Sequence, residues 1–211
     1  MAARPIHPWP LRLMHWLNAL ALVIMIGSGW QIYDAHQLFR FAIPPSVTIG
    51  EWLAGAIAWH FAAMWLFVLN GLAYLAWGTV SGHFRRRFLP LSPRAVLRDL
   101  WLAATFRLPH RPGRYNAVQR LLYLGVLACG TLSVVTGLAF WKPVQLWWLS
   151  DLLGGFRETR FLHFAAMSGI VAFLAVHLVL VAAVPKVLAP MITGGPGRWA
   201  GFGRAGESEI V

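Results

Sequence analysis

Acidic residues and cysteines are scarce in this chain. Its 211 residues include 7 Asp and Glu against 18 Lys and Arg, and a single cysteine, Cys129. One cysteine excludes an intrachain disulfide, a Cys-x-x-Cys-His motif for attaching a cofactor covalently, and an iron–sulfur cluster held by this chain alone. The sequence also has no internal repeat and no glycine-rich phosphate loop. It therefore offers no local motif for binding nucleotides.

Apolar residues, in contrast, are abundant. They make up 58% of the chain, charged residues make up 12%, and the mean hydropathy is +0.61. Four apolar stretches reach the roughly 20 residues that a membrane-spanning helix needs, at about 13–33, 52–77, 121–141 and 161–184. The first is expected to be retained, because no convincing cleavage site follows it. We predict an all-α membrane protein, a four-transmembrane-helix bundle over residues 1–190 with a flexible cytoplasmic tail at 191–211.

Basic residues are placed unevenly along the chain. The segment between the second and third spans holds nine arginines and one acid, Asp99, whereas acids balance the basic residues of the other two loops. By the positive-inside rule, this segment and both termini are cytoplasmic. Topology explains the basic pI, so we expect membrane lipid as a partner and no nucleic acid. An amphipathic helix on the inner leaflet is predicted from Arg94, Val96, Leu97, Arg98, Leu100 and Trp101.

Four histidines fall inside the predicted spans, where ionisable groups are costly. His163 and His177 are 14 residues apart in the fourth span, which is roughly 21 Å along a helix and within about 40° of one face. His15 begins the first span, and His60 lies in the outer half of the second. Because successive spans run antiparallel, His15 shares the inner leaflet with His177, and His60 shares the outer leaflet with His163.

Paired imidazoles at two depths suit b-type haem, since imidazole nitrogen ligates haem iron and a bundle core can hold a flat cofactor. Two haems would satisfy all four groups, the inner one with His15 and His177, the outer one with His60 and His163. The alternative is that each histidine only hydrogen-bonds a neighbouring helix. Glycines that would give a macrocycle room, or simply serve helix contacts, are Gly27, Gly29, Gly71 and Gly137. Loop and terminal histidines are not expected to bind iron: His7, His36, His83 and His110.

Four stretches resemble a known family. They are LRLMHWLNALALVIMIGSG (11–29), AWHFAAMW (58–65), RYNAVQR (114–120) and RFLHFAAMSGIVAFLAVHL (160–178). They are similar to the di-haem cytochrome b subunits of formate dehydrogenase, nickel–iron hydrogenase (the cytochrome b561-like type) and thiosulfate reductase. The resemblance implies a multi-pass subunit of the bacterial inner membrane that carries electrons between a periplasmic oxidoreductase and quinone. Similarity to the thiosulfate-reductase type favours a molybdopterin enzyme as that partner.

The same resemblance implies site residues. His15 and His177 would hold the cytoplasmic-side haem, and His60 and His163 the periplasmic-side one. A quinone pocket beside the inner haem would include the start of the third span, with Tyr115, Asn116 and Gln119. Asn116 is also placed to cap the third helix, and both roles are compatible.

Two other functions remain open at this point. One is a stand-alone di-haem quinone oxidoreductase, similar to cytochromes that exchange electrons with superoxide. The other is a non-redox membrane scaffold or transporter, in which paired histidines would have no evident purpose. A reduced-minus-oxidised spectrum separates the redox functions from the non-redox one.

Overall fold

Helices account for every regular element in the part of the chain that the computed structural model describes, residues 7–87, 92–105, 107 and 116–195. In chain order they are α1 (Trp9–Ala35), α2 (Leu53–Val80), α3 (His83–Arg87), α4 (Pro93–Ala104), α5 (Ala117–Trp141), α6 (Trp147–Leu152), α7 (Phe156–Ala183) and α8 (Leu188–Thr193), with short 3₁₀ turns at Pro45–Val47 and Pro185–Val187. Of these, α1, α2, α5 and α7 are long and apolar enough to cross a membrane. The predicted all-α class and its four spans are confirmed.

Local sequence explains where the long helices begin. Pro10 stands in the first turn of α1, where a missing N–H costs nothing. At α5, the side chain of Asn116 accepts the N–H of Gln119 at 2.8 Å, and the side chain of Gln119 accepts the N–H of Asn116 at 3.1 Å. This reciprocal capping box satisfies two amides that the helix itself cannot pair. Ahead of α7, Gly154 and Gly155 adopt φ values of 92° and 102°, which glycine tolerates and other residues rarely do.

The long helices form two hairpins. Within each hairpin the backbones pack closely, α1 against α2 and α5 against α7. Small residues permit this approach: Ala21, Ala56 and Ala63 are buried on the first pair, and Ala139 and Ala166 on the second. An amide also links the first pair, since Asn70 Nδ2 donates to the carbonyl of Met14 at 2.8 Å. Each hairpin is therefore a tightly packed unit in its own right.

Side chains provide the contacts between the two hairpins. His15 of α1 meets His177 of α7, and Tyr33 of α1 lies against Phe164 of α7 with ring centres 5.1 Å apart. On the other side, Phe61 of α2 meets Trp141 of α5 at 5.1 Å. Large rings thus fill the space between the hairpins, whose backbones are less closely packed than those within each hairpin. Apolar residues elsewhere on the long helices stay exposed, as lipid-facing residues must be, with Leu69 at 61% and Val179 at 66%.

Helix α4 confirms the amphipathic helix predicted in the arginine-rich segment. Leu97 and Trp101 are exposed on one side, whereas Asp99 is buried. The carboxylate of Asp99 accepts the N–H of Ala117 at 2.9 Å and the guanidinium of Arg98 at 3.0 Å. The Ala117 amide, aided by Arg98, lowers the pKa of Asp99 against the opposing effect of desolvation. Asp99 thus fastens α4 to the first turn of α5.

The two ends of the described chain meet on one side of the bundle. Arg12 donates to the carbonyl of Ile192 at 2.6 Å, and Trp16 Nε1 donates to that of Met191 at 3.2 Å. Helix α8 closes at Gly194, whose φ of 76° is left-handed; a Cβ added there would lie 2.9 Å from Cζ of Arg12. The helix crosses residue 190, where we placed the boundary with a flexible tail. Residues 196–211 of that tail lie outside the described part of the chain.

Candidate functional site: two histidine pairs in the bundle

The inner pair joins α1 to α7. The rings of His15 and His177 lie 6.1 Å apart between centres, at an interplanar angle of 64°. Two imidazoles that bind one metal from opposite sides have ring centres roughly 6 Å apart, because each metal–nitrogen bond is about 2 Å and each ring centre lies about 1 Å beyond its nitrogen. Phe173 stacks on His177 with centres 5.9 Å apart and planes within 11°. The structure thus brings together two histidines that are far apart in sequence, at a separation that suits bis-imidazole ligation.

The outer pair joins α2 to α7. His60 and His163 line one internal cavity of about 40 Å³, together with Leu22, Met25, Ile26, Phe67, Ser133, Met167 and Ile170. Apart from the histidines and Ser133, the lining is apolar, and its two methionines are unbranched side chains that adapt to irregular shapes. The Oγ of Ser133 is buried and has no hydrogen-bond partner among the described residues. A buried hydroxyl without a partner, in a cavity lined by two histidines, fits a site that receives a further polar group.

A buried hydroxyl lies against Nδ1 of each of the two outer histidines. Ser28 Oγ lies 3.0 Å from Nδ1 of His60 and donates its own hydrogen to the carbonyl of Ile24 at 2.6 Å. In the same way, Thr136 Oγ1 lies 2.9 Å from Nδ1 of His163 and donates to the carbonyl of Leu132 at 2.6 Å. Since each hydroxyl has one hydrogen and a carbonyl 2.6 Å away to receive it, the contact favours donation from Nδ1 of each imidazole. The backbone of Met25 also hydrogen-bonds His60, and that of Ser133 hydrogen-bonds His163. Nε2 is then left with a free lone pair, as a metal ligand requires.

Two of the four glycines singled out in the sequence lie beside these rings. A Cβ added at Gly29 would lie 3.5 Å from Cε1 of His60, and one added at Gly137 would lie 3.4 Å from Cε1 of His163. Both glycines directly follow the hydroxyl residues, as Ser28-Gly29 and Thr136-Gly137. Gly27 serves another purpose, because Ile49 packs onto it and donates its N–H to the Gly27 carbonyl at 3.0 Å.

The residues proposed for quinone stand at the start of α5. Asn116 and Gln119 form the capping box described above, which occupies the carbonyl oxygen of each side chain and not its NH₂ group. Tyr115 lies outside the described residues. The cap and a donor role are therefore chemically compatible at Asn116.

Of the remaining histidines, His7 lies close enough to His15 for the two rings to interact electrostatically, whereas His36 and His83 have other neighbours. His36 follows α1, and its carbonyl accepts a hydrogen bond from Arg160. His83 stacks near Trp77, with ring centres 5.2 Å apart. His110 lies outside the described residues. The sequence analysis does not identify Ser28, Thr136 or Ser133 as site residues. Ser28 and Thr136 share one sequence feature, since each immediately precedes a glycine.

Comparisons with known proteins identify the family of this chain. The family described as prokaryotic cytochrome b561 matches residues 6–194, nearly the whole described chain. The chain belongs to this family. It is a multi-pass membrane cytochrome, and family membership implies that it binds b-type haem. The resemblance seen in the sequence is therefore confirmed, and the donor set fits the cofactor: paired imidazoles, an apolar lining and glycines beside the rings.

Relatives of this cytochrome are subunits of redox enzymes. The putative protein-methionine-sulfoxide reductase subunit YedZ1 of Azospira oryzae is 48% identical over 190 residues, which cover 90% of this chain and 96% of the relative. The probable Ni/Fe-hydrogenase B-type cytochrome subunit of Cupriavidus necator is 27% identical, covering 80% of this chain and 75% of its own. That of Azotobacter vinelandii is 25% identical, covering 81% and 77%.

Proposed function

We propose that this cytochrome carries electrons between the quinone pool and a catalytic reductase on the outer side of the bacterial inner membrane, through two b-type haems. The observation that carries the proposal is the presence of two histidine pairs at opposite ends of α7. A bound haem supplies reversible one-electron chemistry at its iron. The protein supplies the ligands, the spacing between them and a water-poor setting.

The spacing of the pairs suits transfer across a membrane. His163 and His177 belong to one uninterrupted helix, Phe156–Ala183, so their Cα atoms are roughly 21 Å apart along its axis. His15 supplies the partner at one depth, and His60 the partner at the other. Two sites at two depths place redox groups near both surfaces, which a single site in the middle of the bundle would not do.

The catalytic chemistry belongs to another polypeptide in this proposal. Among the described residues, no group of three or more His, Cys, Asp and Glu is arranged to hold a metal ion. The relative with 48% identity is named as a subunit of a methionine-sulfoxide reductase, whereas the hydrogenase subunits are 27% identical or less. We therefore favour a reductase partner, of the molybdopterin type that the thiosulfate-reductase resemblance implies.

Electron flow follows from that partner. Reducing a sulfoxide to a thioether takes up two electrons and two protons and releases water. Oxidising a quinol to a quinone releases two electrons and two protons. Quinol is thus the donor and the reductase the acceptor, with each electron crossing from the inner pair to the outer pair. The start of α5 is the proposed quinone site, since the NH₂ group of Asn116 can donate to a quinone carbonyl while its oxygen caps the helix.

Haem content is the decisive measurement. Pyridine haemochrome analysis of the purified protein is expected to give two b-type haems per chain. His60→Ala and His163→Ala should each remove the same haem, because their side chains line one cavity. His15→Ala and His177→Ala should each remove the other one. His36→Ala is the matched control and should retain both. A native protein without haem would refute the proposal.

The identity of the partner needs a separate test. Membranes with and without this protein are supplied with a quinol and with a methionine-sulfoxide reductase, and loss of methionine sulfoxide is measured. Turnover that requires both the quinol and this protein is the expected result. Haem reduction by hydrogen in the native complex would instead assign a hydrogenase partner. Electron transfer from superoxide, which becomes O₂, through this protein to quinone with no partner present would assign the stand-alone function.

A further inference from the structure

Ser28 and Thr136 form a matched pair on opposite hairpins. Ser28 lies on α1 and faces His60 of the adjacent α2, and Thr136 lies on α5 and faces His163 of the adjacent α7. Both side chains are fully buried, with relative exposures of 0%. Both direct their hydrogen to the carbonyl four residues earlier at 2.6 Å. Each hairpin thus places a buried hydroxyl against Nδ1 of its own outer histidine.

We infer that Ser28 and Thr136 are positioning residues that fix the tautomer of the two outer histidines and lower the reduction potential of the haem these histidines hold. The inference rests on the proposed function only in taking His60 and His163 as haem ligands. The contacts themselves are independent of that function, since they are hydrogen bonds between side chains of neighbouring helices.

The tautomer follows from hydrogen counting. If Nδ1 carried the lone pair, it would face an oxygen whose only hydrogen is already given to a carbonyl, and two lone pairs would oppose each other about 3 Å apart. Burial leaves no water to relieve that contact at Ser28 or Thr136, so the arrangement would lose a hydrogen bond without replacement. The buried contacts therefore favour the Nδ1–H tautomer, which leaves Nε2 free on both rings.

The effect on potential follows from ligand basicity. An imidazole that donates from Nδ1 has more electron density on Nε2 and is a stronger donor to a metal. Stronger donation favours the more highly charged ferric iron over ferrous iron and so lowers the potential. The inner pair has a different environment: His15 and His177 have the aromatic neighbours Trp16 and Phe173, and no hydroxyl of the described residues bonds either ring. The hydroxyl effect is thus specific to the outer pair.

The test removes the hydroxyls with little change of shape. Ser28→Ala and Thr136→Val each delete one acceptor, and Thr136→Ser keeps it. Thr131→Val is the matched control, because Thr131 lies on the same helix and makes the same bond to its own preceding carbonyl, that of Leu127, at an exposed position. Haem content is measured by pyridine haemochrome, potentials by spectroelectrochemical titration, and ligand orientation by low-spin EPR.

Ser28→Ala and Thr136→Val are expected to raise the potential of the same haem, the one that His60→Ala removes. A roughly tenfold shift in the ferric-to-ferrous preference corresponds to about 59 mV for one electron. Thr136→Ser and Thr131→Val should keep the wild-type potentials. Loss of that haem in Thr136→Val, with retention in Thr136→Ser, would equally support the assignment.

Two results would overturn it. One is full haem content with wild-type potentials and EPR signals in both hydroxyl-free variants. The other is an equal change in Thr136→Ser and Thr136→Val, which would show that packing and not the hydroxyl matters. Either outcome is distinct from failure of the proposed function, in which the wild-type protein binds no haem.

Discussion

Removal of the Asp99 carboxylate should release α4 from the bundle. Asp99 is 6% exposed and accepts the Ala117 amide at 2.9 Å, at the positive end of the α5 dipole. A hydrogen bond to a charged group contributes about 1.5–3 kcal/mol. The Arg98 contact adds little, since that side chain is 70% exposed and exposed ion pairs contribute about 0–1 kcal/mol. Asp99→Ala should therefore destabilise the α4–α5 junction by about 2 kcal/mol, and Arg98→Ala by much less.

Hydrogen exchange measured by mass spectrometry is the appropriate assay, because the effect is local. A loss of about 2 kcal/mol corresponds to roughly thirtyfold faster exchange for amides that open with the junction. The increase should appear in peptides covering 93–104 and 117–120 and not in peptides from α7. Asp99→Asn keeps an acceptor oxygen without the charge and should give an intermediate rate.

The dependence on pH has a definite sign. The pKa of Asp99 is lowered from an ordinary value of 3.8 in the folded protein, so the stabilisation is fully present above that value. It is lost as the pH falls through the lowered folded pKa. The amides of the wild-type junction should therefore stay protected from exchange at about pH 4.5 and above, as measured by exchange rates corrected for the intrinsic effect of pH. Unchanged exchange in Asp99→Ala would refute the idea that this carboxylate fastens α4.

Two further predictions concern topology and quinone. A reporter enzyme fused near Arg98 should be active only in the cytoplasm, and one fused near Gly154 only outside, because the arginine-rich segment is held inside; the reverse pattern would exchange the faces of the two histidine pairs. Asn116→Ala should retain both haem spectra but weaken quinol binding several-fold, the equivalent of about 1 kcal/mol for one hydrogen bond. Wild-type reduction rates across a range of quinol concentrations would leave Asn116 as a helix cap alone.

Sequence reasoning succeeded where one local physical rule dominates. Long apolar runs define spans because a bilayer leaves no other partner for backbone groups, and each predicted span coincides with a helix. Antiparallel connection then predicts which histidines share a depth, and the contact between His15 and His177 follows that expectation. The amphipathic helix between the second and third spans could likewise be read from its own residues.

Contacts that depend on helix rotation could not be predicted in this way. In the sequence, Ser28 and Thr136 resemble other small residues of membrane helices. Their oxygens lie within hydrogen-bond distance of Nδ1 atoms only because of how α1 is rotated against α2 and α5 against α7. Helix α8 was missed for a similar reason. The glycine-rich sequence that follows it favours a flexible tail. In the structure, however, carbonyls from the last turn of α8 accept hydrogen bonds from Arg12 and Trp16.

The two histidine pairs differ in how many helices build them. All four long helices meet at the outer pair: α2 and α7 supply His60 and His163, while α1 and α5 supply Ser28 and Thr136. The described ring contact of the inner pair joins only α1 and α7, which belong to different hairpins and whose backbones are not closely packed.

A second tie between those same two helices stands close to the inner pair. Helix α8 follows α7 in the chain, and its carbonyls are bound by Arg12 and Trp16, which flank His15 in α1. The C-terminal end of α7 is thus linked to the N-terminal end of α1 on the side where His15 and His177 meet. These hydrogen bonds limit the separation of α1 and α7 at this end. They therefore help to keep His15 near His177, although the backbones of the two helices are not closely packed there.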